Sequence, residues 1–110
     1  VARLDYPAAE VEQRIVLSKL PDYDSAEGRR QVAGMIRCAG LIRLGFAAGD
    51  LATTMSPRTV LSWAENTLIF GDLDSSFRLS FLNKCDELER ELVEEYFQRA
   101  FGRDLKPAEQ

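Results

Sequence analysis

The tripeptide Ser56-Pro57-Arg58 has the residue types of a helix start that can bind a phosphate group. Serine is a favoured N-cap and proline suits the first turn, so the sequence predicts a helix that begins at Pro57. Arg58 would then lie beside free backbone amides at the positive end of the helix dipole, where a guanidinium can hold phosphate oxygens through two hydrogen bonds. Taken alone, the tripeptide also fits an ordinary helix start with a solvated arginine.

Two other charged groups favour structural interpretations. Four glutamates share one side of the last predicted helix and could in principle bind a divalent metal: Glu87, Glu91, Glu94 and Glu95. The chain has no histidine to complete a ligand set, so we interpret them as a solvated face and predict no metal site. Arg30 and Arg37 are seven residues apart on the outer face of the second predicted helix, where they could meet the acidic helix or a partner.

Composition narrows the classes of protein. The chain has 110 residues, 45% of them hydrophobic, which suits one domain with a single core. A formal net charge of -4 disfavours a nucleic-acid partner. With no histidine, serine or cysteine triads and most zinc sites are excluded for this chain acting alone. We interpret Cys38 and Cys85 as reduced, core-filling thiols.

The chain carries no sequence signal for a membrane. No apolar run approaches the ~20 residues that span a bilayer, and Val1 to Lys19 does not resemble a signal peptide. We therefore expect a cytoplasmic protein without a membrane partner. The chain starts at Val1 rather than at methionine, as expected for a segment of a longer protein.

Helical periodicity predicts an all-α bundle of four to five helices, preceded by a short extended segment at Val1–Tyr6 that ends at Pro7. The first helix is predicted over Ala8–Leu20, and Pro21 ends it. Its apolar residues are predicted to face the core: Val11, Ile15 and Val16. Its charged residues are predicted to lie outside: Glu10, Glu12, Arg14 and Lys19.

The second helix is predicted to start after a cap at Asp24 or Ser25, to run to about Ala48 and to stop at Gly49. Its apolar stripe is Val32, Met35, Ile36, Ala39, Ile42 and Phe46. Arg43 falls inside this stripe. We interpret it as an aliphatic stem at the core edge that reaches solvent, in preference to an anchored functional arginine.

The third helix should be the centre of the bundle, with Trp63 and Phe70 to the side of its main apolar face. That face comprises Val60, Leu61, Ala64, Thr67 and Leu68. A break at Gly71-Asp72-Leu73-Asp74 precedes a short fourth helix with a partly buried aromatic face. The aromatic face is formed by Phe77, Phe81 and Leu82.

The last helix has the spacing of a capping box, with Asp86 followed three residues later by Glu89, and is predicted to end at Gly102. Asn83-Lys84-Cys85-Asp86 fits either a helix cap or a contact between subunits, and we favour the cap. Arg103–Gln110 has nothing to bury and is predicted to fray. Four further residues are interpreted as core: Trp63, Leu68, Leu92 and Tyr96.

Longer segments around the tripeptide carry a family resemblance. They are MSPRTV (55–60), WAEN (63–66), FRL (77–79), FLNKCDELER (81–90) and YFQRAFG (96–102). Together they closely resemble the C-terminal part of the CobS family, the ATPase subunits of aerobic cobaltochelatase. These are AAA+ ATPases of the group that includes MoxR-like proteins and the motor subunits of magnesium chelatase.

The resemblance implies a domain organisation and a role for Arg58. Residues 1–6 would be the end of the last strand of the ATPase core, residues 7–103 the helical lid domain and residues 104–110 a flexible tail. Ser56-Pro57-Arg58 would be the cofactor-binding motif that opens the lid helix, with Arg58 as the sensor-2 arginine that addresses the γ-phosphate of ATP. Arg43 matches an arginine that precedes this motif in relatives, but no role carries over.

The resemblance also implies cofactors and partners for a longer parent protein. These are ATP and Mg2+, identical subunits in a ring and the other cobaltochelatase subunits, which insert Co2+ into hydrogenobyrinic acid a,c-diamide in aerobic cobalamin biosynthesis. The 110 residues contain no Gly-x-x-x-x-Gly-Lys-Ser/Thr loop, Walker B run or sensor-1 element, so this chain alone should neither hydrolyse nor appreciably bind ATP. Two alternatives remain open: the lid of a MoxR-like chaperone and a free-standing helical interaction module.

Overall fold

Five α-helices joined by short turns make up the computed structural model, which describes residues 6–106. The helices are α1 (Ala9–Lys19), α2 (Ala26–Ala47), α3 (Pro57–Phe70), α4 (Leu73–Ser80) and α5 (Arg90–Phe101). No strand occurs in this range, and the predicted all-α bundle is confirmed. Of the predicted extended segment, residues 1–5 lie outside the described residues. None of the described helices has the length and apolar composition needed to cross a membrane.

Local capping signals set the helix boundaries. Ser25, Ser56 and Asp72 each accept a hydrogen bond from the backbone amide three residues later, at the starts of α2, α3 and α4. Gly71 and Gly102 end α3 and α5 with φ angles of 72° and 71°, in the left-handed region that glycine adopts without strain. These ends are the ones that the sequence predicts.

The centre of the core is an aromatic cluster built around Trp63. Its ring centroid lies 4.8 Å from that of Phe77 and 5.9 Å from that of Phe101, and Phe97 packs between Phe77 and Phe101. The indole nitrogen donates a hydrogen bond to the Leu73 carbonyl at 3.2 Å, so the buried polar group is satisfied. The cluster joins α3, α4 and α5.

This cluster corrects the predicted orientation of α3. Trp63 lies on the buried face, whereas Leu68 is 40% exposed and Phe70 is 60% exposed. The buried residues of α3 are Val60, Trp63, Ala64 and Thr67. Because the Gly71 turn folds α4 back along α3, the helix buries the side that carries Trp63. Of the other residues interpreted as core, Tyr96 is buried and Leu92 is half-buried.

The predicted orientation of α1 is right for Val16, which is buried, and for the exposed Glu10, Arg14 and Lys19, but it is wrong for three residues. Val11 and Ile15 are 40% and 37% exposed, while Glu12 is buried beside Val16. Helical periodicity alone favoured the side with three apolar residues. The helix instead turns Glu12 and Val16 towards α2, because Glu12 has a charged partner there.

Tyr23 connects the turn after α1 to α3. The side chain is buried, and its hydroxyl donates a 2.6 Å hydrogen bond to the carbonyl of Ala64. Burial raises the pKa of Tyr23 to about 12, and a hydrogen bond with Thr67 opposes that shift. The phenol therefore stays neutral and holds the α1–α2 turn against α3.

The segment after α5 is anchored to α4. The guanidinium of Arg103 donates to both carboxylate oxygens of the buried Asp74 at 2.8 and 2.6 Å, and the amide of Lys106 donates to the same carboxylate at 2.8 Å. Leu105 packs partly buried against the core, contrary to the expectation that this segment has nothing to bury. Residues 107–110 of the predicted tail lie outside the described residues.

Candidate functional site

The start of α3 has the predicted geometry. Ser56 is extended, with φ -77° and ψ 164°, and its hydroxyl accepts a hydrogen bond from the Thr59 amide at 3.2 Å. Pro57 occupies the first helical position, where its missing N–H and fixed φ cost the helix nothing. Arg58 follows in the first turn, so its side chain and its amide lie at the positive end of the helix dipole.

Arg58 is exposed, and none of the ion pairs between residues 6–106 includes it. A guanidinium that is solvated in this way can bind an anion without first breaking an internal contact. Its pairing geometry is bidentate for carboxylates and phosphates. Arg58 is therefore suited to bind an anionic group that is held mainly by other residues of a larger site.

The non-helical segment Leu51–Met55, which leads into this helix start, is held at several points. Leu51 and Met55 are buried. The amide of Ala52 donates to the Glu89 carboxylate at 3.1 and 3.2 Å. The Thr54 hydroxyl lies 3.1 Å from the hydroxyl of Tyr6. The residues that precede the Ser-Pro-Arg tripeptide are therefore fixed by side chains from distant parts of the chain.

Arg43 makes a further contact with this segment. Its position corrects the prediction that its aliphatic stem lies at the core edge and reaches solvent. Its Nη1 and Nη2 atoms donate to the two carboxylate oxygens of Glu12 at 2.9 and 2.8 Å, and its Nε donates to the Met55 carbonyl at 2.8 Å. The Arg43 side chain is only 9% exposed and that of Glu12 only 2% exposed. The guanidinium carbon also lies 4.2 Å from the centroid of the Tyr6 ring. Arg43 is anchored in the core.

The sequence contained a signal for this pair. Arg43 interrupts the apolar stripe of α2, and a charged residue there requires a buried partner of opposite charge. Val11 and Ile15 fit an apolar face, so the spacing within α1 predicts that Glu12 lies on the outside. Sequence spacing could not show which acidic residue in another helix would meet Arg43.

Arg30 and Arg37 are both exposed on α2, as predicted, and border a cleft of about 330 Å³ between α2 and the end of α5. Arg37 does not meet an acidic side chain of α5. Its guanidinium donates to the Ala100 carbonyl at 3.1 and 3.3 Å, in the last turn of that helix. A cation is favoured at this negative end of the helix dipole, so Arg37 has a structural role there.

The glutamates of α5 and of the turn before it agree with the interpretation as a solvated face. Glu87, Glu91 and Glu95 are exposed and Glu94 is half-buried. Glu95 accepts a hydrogen bond from Arg99 one turn later at 2.7 Å, as exposed helix pairs commonly do. Within residues 6–106, no group of three or more carboxylate, cysteine or histidine residues is placed to hold a metal ion.

The segment before α5 forms a helix cap, but not a capping box. Asp86 accepts a hydrogen bond from the Leu88 amide at 3.1 Å and caps a single 3-10 turn at Glu87–Glu89 that precedes α5. In a capping box, Glu89 would bond back to the amide of Asp86. Its carboxylate instead binds the Ala52 amide, so this part of the prediction is wrong.

Both cysteines are free and buried, as predicted for core-filling thiols. Burial raises the pKa of the Cys38 thiol far above its ordinary value. Burial and the nearby Glu89 carboxylate raise the pKa of Cys85 to about 11, although Arg90 opposes the shift. Neither side chain has the thiolate character that nucleophilic or redox chemistry requires.

The residues present do not complete an ATP site. The sequence holds one exposed arginine at a helix start, but no phosphate-cradling glycine loop and no acidic run of the Walker B type. Phosphoryl transfer requires those amides and the metal ligands in addition to a cation. Arg58 can therefore contribute only one contact to a nucleotide that other residues would hold.

Comparison with known proteins finds a relative that matches nearly the whole chain. The chain is similar to the aerobic cobaltochelatase subunit CobS of Sinorhizobium sp, with 53% identity over 106 residues. The match covers 96% of this chain and 32% of the Sinorhizobium protein, so the chain spans about a third of its relative's length. No family model and no solved structure matches the chain. The resemblance to CobS is thereby confirmed.

Proposed function

We propose that this chain is the lid domain of the AAA+ ATPase subunit of an aerobic cobaltochelatase. The main support is the 53% identity to the Sinorhizobium CobS subunit across 96% of the chain. The all-α architecture agrees with a helical lid. The missing phosphate loop and Walker B run agree with a chain that supplies only one part of an ATPase.

In this proposal Arg58 is the sensor-2 arginine. The support is its place in the first turn of α3, after the Ser56 cap and Pro57, with a solvated guanidinium. When ATP is bound by the parent protein, Arg58 would contribute a charge-assisted contact to its γ-phosphate. Mg2+ and the remaining phosphate contacts would come from residues outside this chain.

The parent subunit would couple ATP hydrolysis to Co2+ insertion into hydrogenobyrinic acid a,c-diamide, in a ring of identical subunits that works with the other chelatase subunits. The lid would contribute by changing its position against the ATPase core when the phosphate contact of Arg58 forms or breaks. In this proposal the partner subunits carry out the metal insertion, and the ATP-driven movement occurs between the lid and the ATPase core.

The test is steady-state ATP hydrolysis by the full-length subunit that we propose contains this chain. Arg58→Ala should lower kcat by at least about 30-fold, because one charge-assisted transition-state contact is worth roughly 2 kcal/mol or more. Nucleotide binding and assembly should be retained. Arg30→Ala is the matched control, since it removes another exposed arginine and should leave turnover unchanged.

Unchanged turnover in Arg58→Ala would reduce the Ser-Pro-Arg tripeptide to a helix start and refute the sensor-2 assignment. A second test addresses the chelatase itself. Replacement of the matched third of the Sinorhizobium subunit by this chain should give an active cobaltochelatase when the other subunits are supplied. If the chimera hydrolyses ATP but does not insert Co2+, the parent is a motor with a different client, such as a MoxR-like chaperone.

A further inference from the structure

The buried Glu12–Arg43 ion pair joins three separate parts of the fold. Glu12 lies on α1, Arg43 on α2, and the Met55 carbonyl on the segment that leads into α3. All three guanidinium nitrogens are engaged, at 2.8 to 2.9 Å. The guanidinium is planar, so its three hydrogen bonds fix the relative positions of the groups that accept them. A single point charge such as the lysine ammonium would not fix them in this way.

The contact with Met55 fixes the backbone immediately before the Ser-Pro-Arg tripeptide. The Met55 side chain is itself fully buried, and Ser56 is held as the N-cap by its hydrogen bond to the Thr59 amide. The ring of Pro57 fixes its own φ angle. Little rotational freedom remains between the Met55 carbonyl and Arg58, so the orientation imposed by Arg43 is passed to the first turn of α3.

The same pair determines how α1 is placed. Glu12 and Val16 are the buried residues of this helix, and Val11 and Ile15 are largely exposed. Val16 and the partly buried Leu17 supply the apolar contacts of α1 with the core, and the Glu12 carboxylate adds the charged contact that fixes its orientation. Tyr6, three residues before the helix, stacks on the Arg43 guanidinium with 4.2 Å between guanidinium carbon and ring centroid. A displacement of α1 would therefore change the position of the Met55 carbonyl.

Stability alone is a poor explanation for such a pair. Burying two charges has a large desolvation cost, and a well-packed apolar pair of similar volume is often equally stable or more stable. What the ion pair adds is a defined orientation. The elements that it orients are α1 and the helix start that carries the exposed Arg58.

We propose that Glu12 and Arg43 form a positioning pair that sets the orientation of Arg58 relative to α1, a role that rests on the proposed sensor-2 function of Arg58. A movement transmitted through the residues before α1 would thereby shift Arg58 with respect to its phosphate. Neither residue touches the nucleotide. Both act through the Met55 carbonyl.

The first test measures this geometry in the 110-residue chain without nucleotide. Glu12→Leu combined with Arg43→Met removes the pair without leaving an isolated buried charge. Backbone NMR should show changed chemical shifts and faster amide exchange at residues 54–59, while the Trp63 indole signal keeps its native position. Asp74→Leu combined with Arg103→Met is the control, because it removes another pair between an arginine, here 42% exposed, and a buried carboxylate, and it should leave residues 54–59 unchanged.

The second test uses kinetics of the full-length subunit. The Glu12→Leu/Arg43→Met variant should lose about tenfold in kcat, less than Arg58→Ala loses because a displaced Arg58 keeps part of its contact, with KM for ATP changed less than about twofold. If the pair acts through Arg58, adding both changes to Arg58→Ala should lower kcat less than about twofold further. A general loss of folding would instead lower activity in both backgrounds.

The outcomes separate the two proposals. Unchanged turnover in Arg58→Ala overturns the sensor-2 function itself, whatever the pair does. Reduced turnover in Arg58→Ala, together with normal kcat in the Glu12→Leu/Arg43→Met variant, overturns the positioning role and leaves the sensor-2 function standing. Native shifts and exchange at residues 54–59 in that variant also overturn it.

Discussion

Arg43→Met alone should be one of the most destabilising single substitutions in this chain. It leaves the Glu12 carboxylate, 2% exposed, without its charged partner and leaves the Met55 carbonyl without its donor. Breaking a buried ion pair from one side typically costs about 3–5 kcal/mol. A domain of this size has a total stability of roughly 5–15 kcal/mol, so a large part of the folding free energy is at stake.

The measurement is urea unfolding of the chain followed by the fluorescence of Trp63, the only tryptophan and fully buried. With an m-value of about 1.5 kcal/mol/M, the midpoint should fall by about 2–3 M. Arg99→Met is the matched control. It breaks the exposed pair with Glu95 and should cost no more than about 0.5 kcal/mol.

The decisive comparison is with the double variant Glu12→Leu/Arg43→Met. If the cost of the single variant comes from an uncompensated buried carboxylate, removing that carboxylate should recover most of the stability. Two results would refute this reasoning. One is a cost below about 1 kcal/mol for Arg43→Met, which would mean that water reaches the pair. The other is a double variant as unstable as the sum of the two single variants.

Further predictions concern stability and use the same unfolding measurement. Asp74→Asn should destabilise at pH 7: burial raises the pKa of Asp74, but its hydrogen bonds and charged neighbours outweigh burial and lower it. The stabilisation by the Asp74 carboxylate is therefore complete above the unfolded pKa of about 3.9 and is lost as pH falls through the folded pKa. A difference in stability between the original chain and Asp74→Asn that persisted in acid would contradict this prediction. Gly40→Ala should stabilise α2 by roughly 0.5–1 kcal/mol because nothing lies within 4 Å of the new Cβ. Gly34→Ala should destabilise by roughly 1–3 kcal/mol because its Cβ would lie 2.5 Å from the Phe101 ring, and equal effects at the two glycines would refute this distinction. Ser76→Ala should stabilise by about 1 kcal/mol, since among the described residues the buried Ser76 hydroxyl has no partner, and a loss of stability would reveal one.

The sequence predicts this fold best where the determinant is local. A cap side chain and the amide that it bonds are three residues apart, so Ser25 and Ser56 mark the starts of α2 and α3 correctly. The same holds for Gly71 and Gly102, whose left-handed backbone follows from the absence of a Cβ. The position of Arg58 in a first helical turn could be predicted for this reason.

Prediction failed where the determinant lies in another element. The 11-residue helix α1 has apolar residues on more than one side, and the choice between the Val11–Ile15 side and the Glu12–Val16 side is made by Arg43 on α2. Periodicity is computed within one helix and contains no information about that partner. For Glu89, too, the bonding group was not three residues away but on the segment before α3.

The failed predictions and the candidate site are physically connected. Burying a charge in a small core is costly, so the place where it is tolerated must supply a full set of partners. Arg43 finds its partners in Glu12 and in the Met55 carbonyl, and that second acceptor belongs to the chain immediately before Ser56. The residue that most violates the apolar pattern of α2 is thus also the one that holds the start of α3. A charged residue inside an otherwise apolar stripe therefore indicates that the elements it joins must hold one relative orientation. If it binds a backbone carbonyl, the exposed cationic residue nearest in sequence to that carbonyl is the first candidate for the group whose position is fixed.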